Sequence, residues 1–249
     1  MLSHFKDMDN KLKILGFAGS LRAGSYNKAL LRTAADFISE DVNLEIFDID
    51  GIPAFNQDTE NNMPEKVKDF KSKIREADAI LIATPEYNYS VPGVLKNAID
   101  FATRPYGDNP FNEKPVAIMS ASVGMLGGAR AQYHLRQIFV YLNMYPINGP
   151  EVIVTFAQDK FDANGKLIDE NTQQFLRQLL QNLVNWTRKL KKWNENKFDI
   201  YITKLKSIKY LESNKDKILD LAGKNYKNII EVLTNNPRYS CHLSSNPTL

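Results

Sequence analysis

The sequence has few of the features that mark several protein classes. Its 249 residues include a single cysteine, Cys241, which excludes an internal disulfide framework and is compatible with a reducing compartment. There are 32 basic and 29 acidic residues, so the net charge gives no reason to expect a nucleic acid or an anionic membrane as partner. No apolar run approaches the roughly 20 residues of a membrane span. We therefore expect a cytoplasmic protein with no membrane span and no nucleic-acid partner.

Two common nucleotide-binding motifs are also missing. The chain contains neither the dinucleotide motif G-x-G-x-x-G nor the P-loop G-x-x-x-x-G-K-[ST], whose lysine and hydroxyl serve a triphosphate and its magnesium. His134 has no cysteine or second histidine near it in the sequence. A lone helical histidine is more typical of packing or of an interface than of catalysis, and we expect no metal site.

Apolar runs of strand length alternate with segments of helical period, and 43% of the residues are hydrophobic. This alternation is typical of a parallel sheet with helices on both faces, a doubly wound three-layer α/β domain. The predicted strands are Lys13–Ala18, Asn43–Asp48, Ala79–Thr84, Val116–Ser120 and Glu151–Phe156. The predicted helices are Lys28–Ile38, Glu65–Ala77, Val94–Thr103, Ala129–Asn143 and Thr172–Lys191.

The turn Gly19–Asn27 joins the first predicted strand to the first helix and is suited to a phosphate. Its glycines let the backbone present N–H groups, its serines and Asn27 add neutral donors, and Arg22 adds a forked cation. We expect Asn27 to cap the helix. A hydroxyl-rich turn without a lysine suits a monophosphate better than a triphosphate with its metal. The alternative is an ordinary connection rich in small residues.

Two further loops follow the third and fourth predicted strands. Thr84–Gly93 has prolines near both ends and carries two tyrosines and Asn88, which suits a rigid platform for a flat ligand. Ser120–Arg130 carries three glycines and two serines, which implies a close backbone approach. Each loop alone could be a surface connection or a tight turn. Ligands of doubly wound sheets bind beyond the carboxyl ends of the strands, where all three loops would meet.

Three motifs together resemble the NADPH-dependent FMN reductase family, in particular its quinone and chromate reductase branch. They are Gly19-Ser-Leu-Arg-Ala-Gly-Ser-Tyr-Asn27, Pro85-Glu-Tyr-Asn-Tyr-Ser-Val-Pro-Gly93 followed by Leu95-Lys-Asn-Ala-Ile-Asp100, and Gly127-Gly-Ala-Arg-Ala-Gln-Tyr-His-Leu-Arg136. The resemblance covers about Lys11–Lys191. It implies a flavodoxin-like fold with a five-stranded parallel sheet of order 2-1-3-4-5.

The resemblance also implies FMN as the cofactor. Its phosphate would lie among residues of the first turn, its isoalloxazine along Pro85–Asn88, and the third loop near the ring. The implied cofactor-binding residues are Ser20, Arg22, Ser25, Tyr26, Asn27, Pro85, Glu86, Tyr87, Asn88, Ser120, Ala121, Ser122 and Gly124. For Glu86 we favour a structural or backbone role, because a carboxylate would repel a reduced, negatively charged flavin.

The expected function is oxidation of NADPH or NADH and reduction of a small acceptor: a quinone, a free flavin, an azo compound or a chromate-like oxidant. Both substrates need the same flavin face, which predicts a ping-pong scheme. The flavin carries the chemistry, so we predict no catalytic side chain. The alternatives are a flavodoxin-like electron carrier or a flavin-binding regulatory module, and, less favoured, a phosphate-binding hydrolase.

The resemblance further implies a homodimer or homotetramer, with Arg130, Tyr133 and Glu151 near the subunit contacts. The chain departs from the family pattern at Val94, where relatives often have glycine, and in the slightly long connection Arg104–Glu113. We predict a reductase domain over 11–192, a helical extension of unknown role over 193–235, and a flexible tail over 236–249.

Overall fold

Strands β1 (Leu12–Ala18), β3 (Ala79–Thr84) and β4 (Pro115–Ala121) form the buried centre of one sheet. Their near-continuous runs of Val, Ile, Leu and Ala are what a sheet covered on both faces requires. The structure, a computed structural model, describes residues 11–206. The side chains of 61, 195 and 197–206 are not described.

The sheet is parallel throughout and has the predicted order. Strand β2 (Val42–Phe47) pairs with β1, β1 with β3, and β3 with β4. On the far side, β4 pairs with two short strands, β5 (Tyr145–Pro146) and β6 (Val152–Val154). The order 2-1-3-4-5 and the three-layer α/β class are thereby confirmed.

The fifth strand differs from its predicted form. In place of one strand over Glu151–Phe156, β5 pairs with the start of β4 and β6 with its end. The intervening Asn148-Gly149-Pro150 interrupts the pairing, because proline has no N–H to donate to a ladder and glycine weakens a strand. Sequence reasoning missed β5, which consists of only two residues.

The described part of the chain forms five α-helices, whose buried residues pack on the two faces of the sheet. They are α1 (Tyr26–Phe37), α2 (Glu65–Glu76), α3 (Gly93–Ala102), α4 (Ala129–Leu142) and α5 (Glu170–Lys206), and 3₁₀ turns lie at Gln57–Asn62 and Ala157–Asp159. Helices α1 and α5 bury their apolar sides in one core cluster. The apolar sides of α2, α3 and α4 lie in the other. Successive side chains of β1 point to opposite faces of the sheet, so Ile14 belongs to the first core cluster and Leu15 to the second.

Helix α5 continues beyond its predicted end at Lys191 and reaches Lys206 without a break. No glycine or proline lies between Glu170 and Lys206 to end it. The chain divides into two units, 1–188 and 189–249, and α5 is anchored in the first by buried Leu176, Leu179 and Leu183. The predictions for 207–249 lie outside the described residues. Over the described part of the chain, no helix is long and apolar enough to cross a membrane.

Candidate functional site

The turn after β1 opens at the carboxyl edge of the sheet. Gly19 donates its N–H to the carbonyl of Ala83 at 2.8 Å, which ties the turn to the end of β3. The residues from Leu21 to Gly24 are exposed, while Ser20 and Ser25 are buried. The first turn of α1 contains no acidic residue, so the positive end of the helix dipole is not neutralised there.

Ser25, and not the predicted Asn27, caps α1. Its hydroxyl oxygen accepts hydrogen bonds from the N–H groups of Asn27 and Lys28, at 3.2 and 3.5 Å. The guanidinium of Arg22 lies 5.7 Å from the ring centroid of Tyr26, the half-buried first residue of the helix.

Asn27 joins the first turn to the end of β4. Its side-chain N–H donates to the carbonyl of Ala121, and its side-chain oxygen accepts from the N–H of the same residue, both at 2.9 Å. Asn27 is buried. The amide that we expected to face a phosphate therefore holds two of the three loops together.

The loop after β3 contains a two-residue hairpin turn. The backbones of Tyr87 and Ser90 exchange hydrogen bonds of 3.1 and 3.0 Å, and Asn88 and Tyr89 between them have φ angles of 50° and 68°. Left-handed values at both positions define the turn type that matches the twist of a hairpin. Asparagine accepts this conformation easily, whereas tyrosine does so at a cost. Pro85 is buried, while the hairpin tip is exposed.

The loop after β4 depends on two glycines with positive φ. A Cβ at Gly127 would lie 2.6 Å from Ile153 Cγ2, and one at Gly128 would lie 2.7 Å from the Cβ of Ser120. The glycines let the start of α4 pack directly on the ends of β4 and β6. Ser122, partly buried, donates its N–H to the carbonyl of Val154, and its hydroxyl accepts from the exposed Gly124 N–H.

Glu86 and Arg130 connect the second loop to the third. The Glu86 carboxylate accepts from the Arg130 backbone N–H at 3.0 Å and from Nε at 2.6 Å. The Arg130 guanidinium carbon lies 3.4 Å from the Tyr89 ring centroid. Burial acts to lower the pKa of Arg130, but its contacts with Glu86 and Tyr89 outweigh burial and raise it.

Gln132 is a site residue that sequence reasoning missed. Its side-chain N–H group donates to the hydroxyl of buried Ser120 at 2.8 Å and to the carbonyl of Val152 at 2.9 Å. Its side-chain oxygen is buried without a hydrogen-bond partner. The available signal was its position four residues after Gly128, which turns it back onto the strand ends.

Two of the proposed interface residues contact each other. The phenol oxygen of Tyr133 lies 3.4 Å from a carboxylate oxygen of Glu151. This hydrogen bond raises the pKa of the Tyr133 phenol.

At the end of the hairpin, the Ser90 hydroxyl is 2.9 Å from His134 Nδ1. These two side chains line a cleft of about 380 Å³ together with Val91, Lys96, Gln137 and Ile138.

Comparison with known proteins identifies the family. The family model described as NADPH-dependent FMN reductase matches residues 12–159, which is more than half of the chain. The chain belongs to the NADPH-dependent FMN reductase family. It is therefore an oxidoreductase that uses FMN as cofactor and NAD(P)H as co-substrate. The suspected resemblance is confirmed, and the electron-carrier, regulatory-module and hydrolase alternatives are set aside.

Individual relatives agree with this FMN reductase assignment. An NAD(P)H-dependent FMN reductase of Pseudomonas aeruginosa is 50% identical over 185 residues, covering 74% of this chain and 100% of the relative. A quinone reductase of Escherichia coli is 42% identical over 173 residues, covering 68% and 92%. Among solved structures, a flavoenzyme NAD(P)H:(acceptor) oxidoreductase of Paracoccus denitrificans has a TM-score of 0.67 at 34% identity, covering 72% and 98%.

The donor groups of the first turn suit the phosphate of FMN. Residues 21–24 of this turn are exposed, and a Cβ built on Gly24 would meet no atom within 4 Å. Neutral donors, a helix N-terminus and one arginine suit a phosphate without a metal. Among the described residues, no group of three His, Cys, Asp or Glu side chains could hold a metal ion.

Proposed function

We propose that this FMN reductase passes electrons from NADPH or NADH to quinones and other small acceptors in a ping-pong scheme. The observation that carries the proposal is the meeting of three loops at one edge of the sheet. Asn27 joins the first loop to the third, and Glu86 joins the second to the third. Bound FMN supplies hydride acceptance and donation, and the protein binds and orients the reactants.

The exposed turn over 21–24, which includes Arg22, and the cap Ser25 would hold the phosphate, with Ser20 beside them. Tyr87 and Asn88 would lie along the isoalloxazine. Apolar side chains that stay exposed around the same edge would contact a flat acceptor, namely Leu21, Tyr87, Val123, Met125, Leu126 and Phe156. Quinone enters the proposal because the Escherichia coli relative bears that name; azo compounds and chromate-like oxidants remain predictions.

A spectroscopic experiment tests this function. The purified protein is expected to take up FMN, to be bleached by NADPH or NADH without oxygen, and to regain its colour on addition of a benzoquinone. Steady-state rates with both substrates varied should give parallel double-reciprocal lines. Colourless protein that takes up no FMN contradicts the proposal, and so does bound FMN that neither nicotinamide bleaches.

We propose in addition that the chain forms a homodimer or homotetramer through a surface near the flavin. Exposed Tyr133, Val140 and Tyr141 all lie on α4. Arg130 and Tyr133, the partner of Glu151, belong to the first half of this helix, the half nearer the proposed flavin platform. Sedimentation at working concentration checks this proposal, and an active monomer contradicts it. The cytoplasmic location stays a prediction from the sequence.

A further inference from the structure

We propose that Glu86 and Arg130 are positioning residues that set the reduction potential of FMN bound along Pro85–Asn88. The inference rests on the proposed placement of the flavin. It concerns two side chains that act on the cofactor through charge and through the shape of the platform, and it removes Glu86 from the groups expected to contact FMN directly.

The first step is the position of the Glu86 carboxylate. Only 9% of this side chain is exposed. Its two oxygens accept from one residue, Oε2 from the Arg130 backbone N–H and Oε1 from Nε. Helix α4 has no side-chain cap at its N-cap residue Gly128. Glu86 therefore provides an acceptor to the start of α4, where N–H groups lack partners within the helix and the helix dipole favours a negative charge.

The second step is the hairpin that Arg130 holds. Its guanidinium lies over the Tyr89 ring at 3.4 Å from the centroid, a stacked cation–π contact. Tyr89 has a φ of 68°, a conformation that costs energy for a bulky residue and persists only when its surroundings stabilise it. One guanidinium thus contacts both Glu86 and Tyr89, which flank the two exposed platform residues.

The third step is the charge balance. Glu86 contributes one negative charge to the platform, and Arg130 neutralises it at contact distance. Flavin reduction adds electrons to the ring, so an uncompensated charge nearby changes the stability of the reduced form, and it does so more strongly where water is excluded. A carboxylate without its cation disfavours reduction, whereas a guanidinium without its carboxylate favours it.

The experiment measures the midpoint potential of the FMN-loaded enzyme by equilibration with a redox dye. Arg130→Met is expected to shift the potential in the negative direction and Glu86→Gln in the positive direction. The double variant, which is neutral at both positions, is expected to return close to the wild-type value. The control is Arg136→Met, which removes a cation from the same helix and leaves the potential unchanged.

A purely structural pair predicts something else: both single variants bind FMN more weakly and their potentials move in the same direction or not at all. That result overturns the inference. Arg130→Lys supplies a second measurement. Lysine keeps the positive charge but lacks the Nε–H group that donates to Glu86 and the planar guanidinium that lies over the Tyr89 ring. We expect it to retain the potential while kcat/KM for NAD(P)H falls by about 10- to 100-fold, the scale of a small misplacement of the reactants.

The failure of this inference is distinguishable from failure of the proposed function. Wild-type protein that takes up no FMN overturns the proposed function and this inference with it. Wild-type protein that binds FMN and is bleached by NAD(P)H, with single-variant potentials that do not move in opposite directions, overturns this inference alone.

Discussion

Several polar residues around the proposed flavin site are engaged with the protein itself. Asn27 binds Ala121 through both ends of its amide, Glu86 binds Arg130, and Ser25 caps α1. Motif reading selected these residues from the sequence, but it could not give their partners, because each contact other than the cap joins segments far apart in the chain. Contacts of this kind depend on the completed sheet.

Ser25→Asp separates capping from phosphate binding. Aspartate is as good an N-cap as serine, so α1 keeps its cap, while the carboxylate at this buried position lowers the free energy of unfolding of the apoprotein; the comparison is therefore made on the FMN affinity of the folded protein. FMN should bind roughly 10- to 1,000-fold more weakly, because the new carboxylate would repel the negatively charged phosphate. Two like charges at about 4 Å repel each other by about 1 to 4 kcal/mol near a protein surface. Fluorescence titration with FMN measures the affinity. Unchanged FMN affinity would place the phosphate elsewhere.

Asn27→Ala removes the tie between the first and third loops. The N–H and carbonyl of buried Ala121 lose their partner, and an unsatisfied buried polar group costs on the order of 1 to 3 kcal/mol. We expect the free energy of unfolding to fall by at least about 2 kcal/mol, as measured by urea denaturation of the apoprotein. The control Asn185→Ala, at an exposed position of α5, should change it by less than about 0.5 kcal/mol. Equal effects in both variants would contradict the assigned role.

At the scale of elements, the loop after β4 requires glycine for two reasons. Gly127 has a φ of 58°, and its Cβ would lie 3.0 Å from the Val154 carbonyl carbon as well as against Ile153. Gly127→Ala should lower the free energy of unfolding by about 1 to 3 kcal/mol, the usual cost of overpacking. Gly93→Ala is the matched control, because a Cβ there meets no atom within 4 Å. Thermal denaturation of the two apoproteins provides the comparison.

Asp169, the residue just before helix α5, has a lowered pKa that can be tested by experiment. Asp169 accepts hydrogen bonds from Lys160 and from the Thr172 hydroxyl and N–H. The hydrogen bond from Lys160 first, and those from Thr172 next, lower the Asp169 pKa from 3.8 to about 2. A depressed folded-state pKa stabilises the protein above the unfolded-state pKa, and this stabilisation is lost as the pH falls from about 4 to about 2.

The variant Asp169→Asn lacks this contribution. It should be less stable than wild type at neutral pH by about 2 kcal/mol, and the difference should shrink progressively below pH 4. Urea denaturation at a series of pH values measures it, with exposed Asp36→Asn as control. A difference that is constant between pH 7 and pH 2 would exclude the assigned ionisation.

Prediction succeeded for elements with strong local signals. The buried strands β1, β3 and β4 read as continuous apolar runs, and their predicted bounds differ from the observed ones by one residue or less at each end. The fifth predicted strand, Glu151–Phe156, differs from the observed β5 and β6 because Asn148-Gly149-Pro150 interrupts the pairing and the two pieces pair with different parts of β4. The prediction ended this last helix at Lys191 and began a separate helical extension at 193, although no glycine or proline lies between Glu170 and Lys206 to end α5.

At the scale of the whole molecule, the family match covers only part of the chain. The family model matches 12–159, and among the side chains of α5 that the structure describes, the buried ones extend to Thr187. A chain truncated after Lys192 should therefore keep its FMN content and its NAD(P)H oxidation rate. Absorbance of the bound flavin and the rate of quinone reduction measure these quantities in the two chains side by side. Loss of FMN on truncation would assign a role in the site to the residues beyond 192.

The divided strand at the far side of β4 has a consequence for the behaviour of the protein at high concentration. A long, flat edge strand would offer a row of free backbone groups to any other extended chain, which is a known route to aggregation. Here the edge consists of a two-residue and a three-residue piece separated by Gly149-Pro150. Neither piece is long enough to serve as a template, so β5 and β6 complete the sheet while protecting it against unwanted growth.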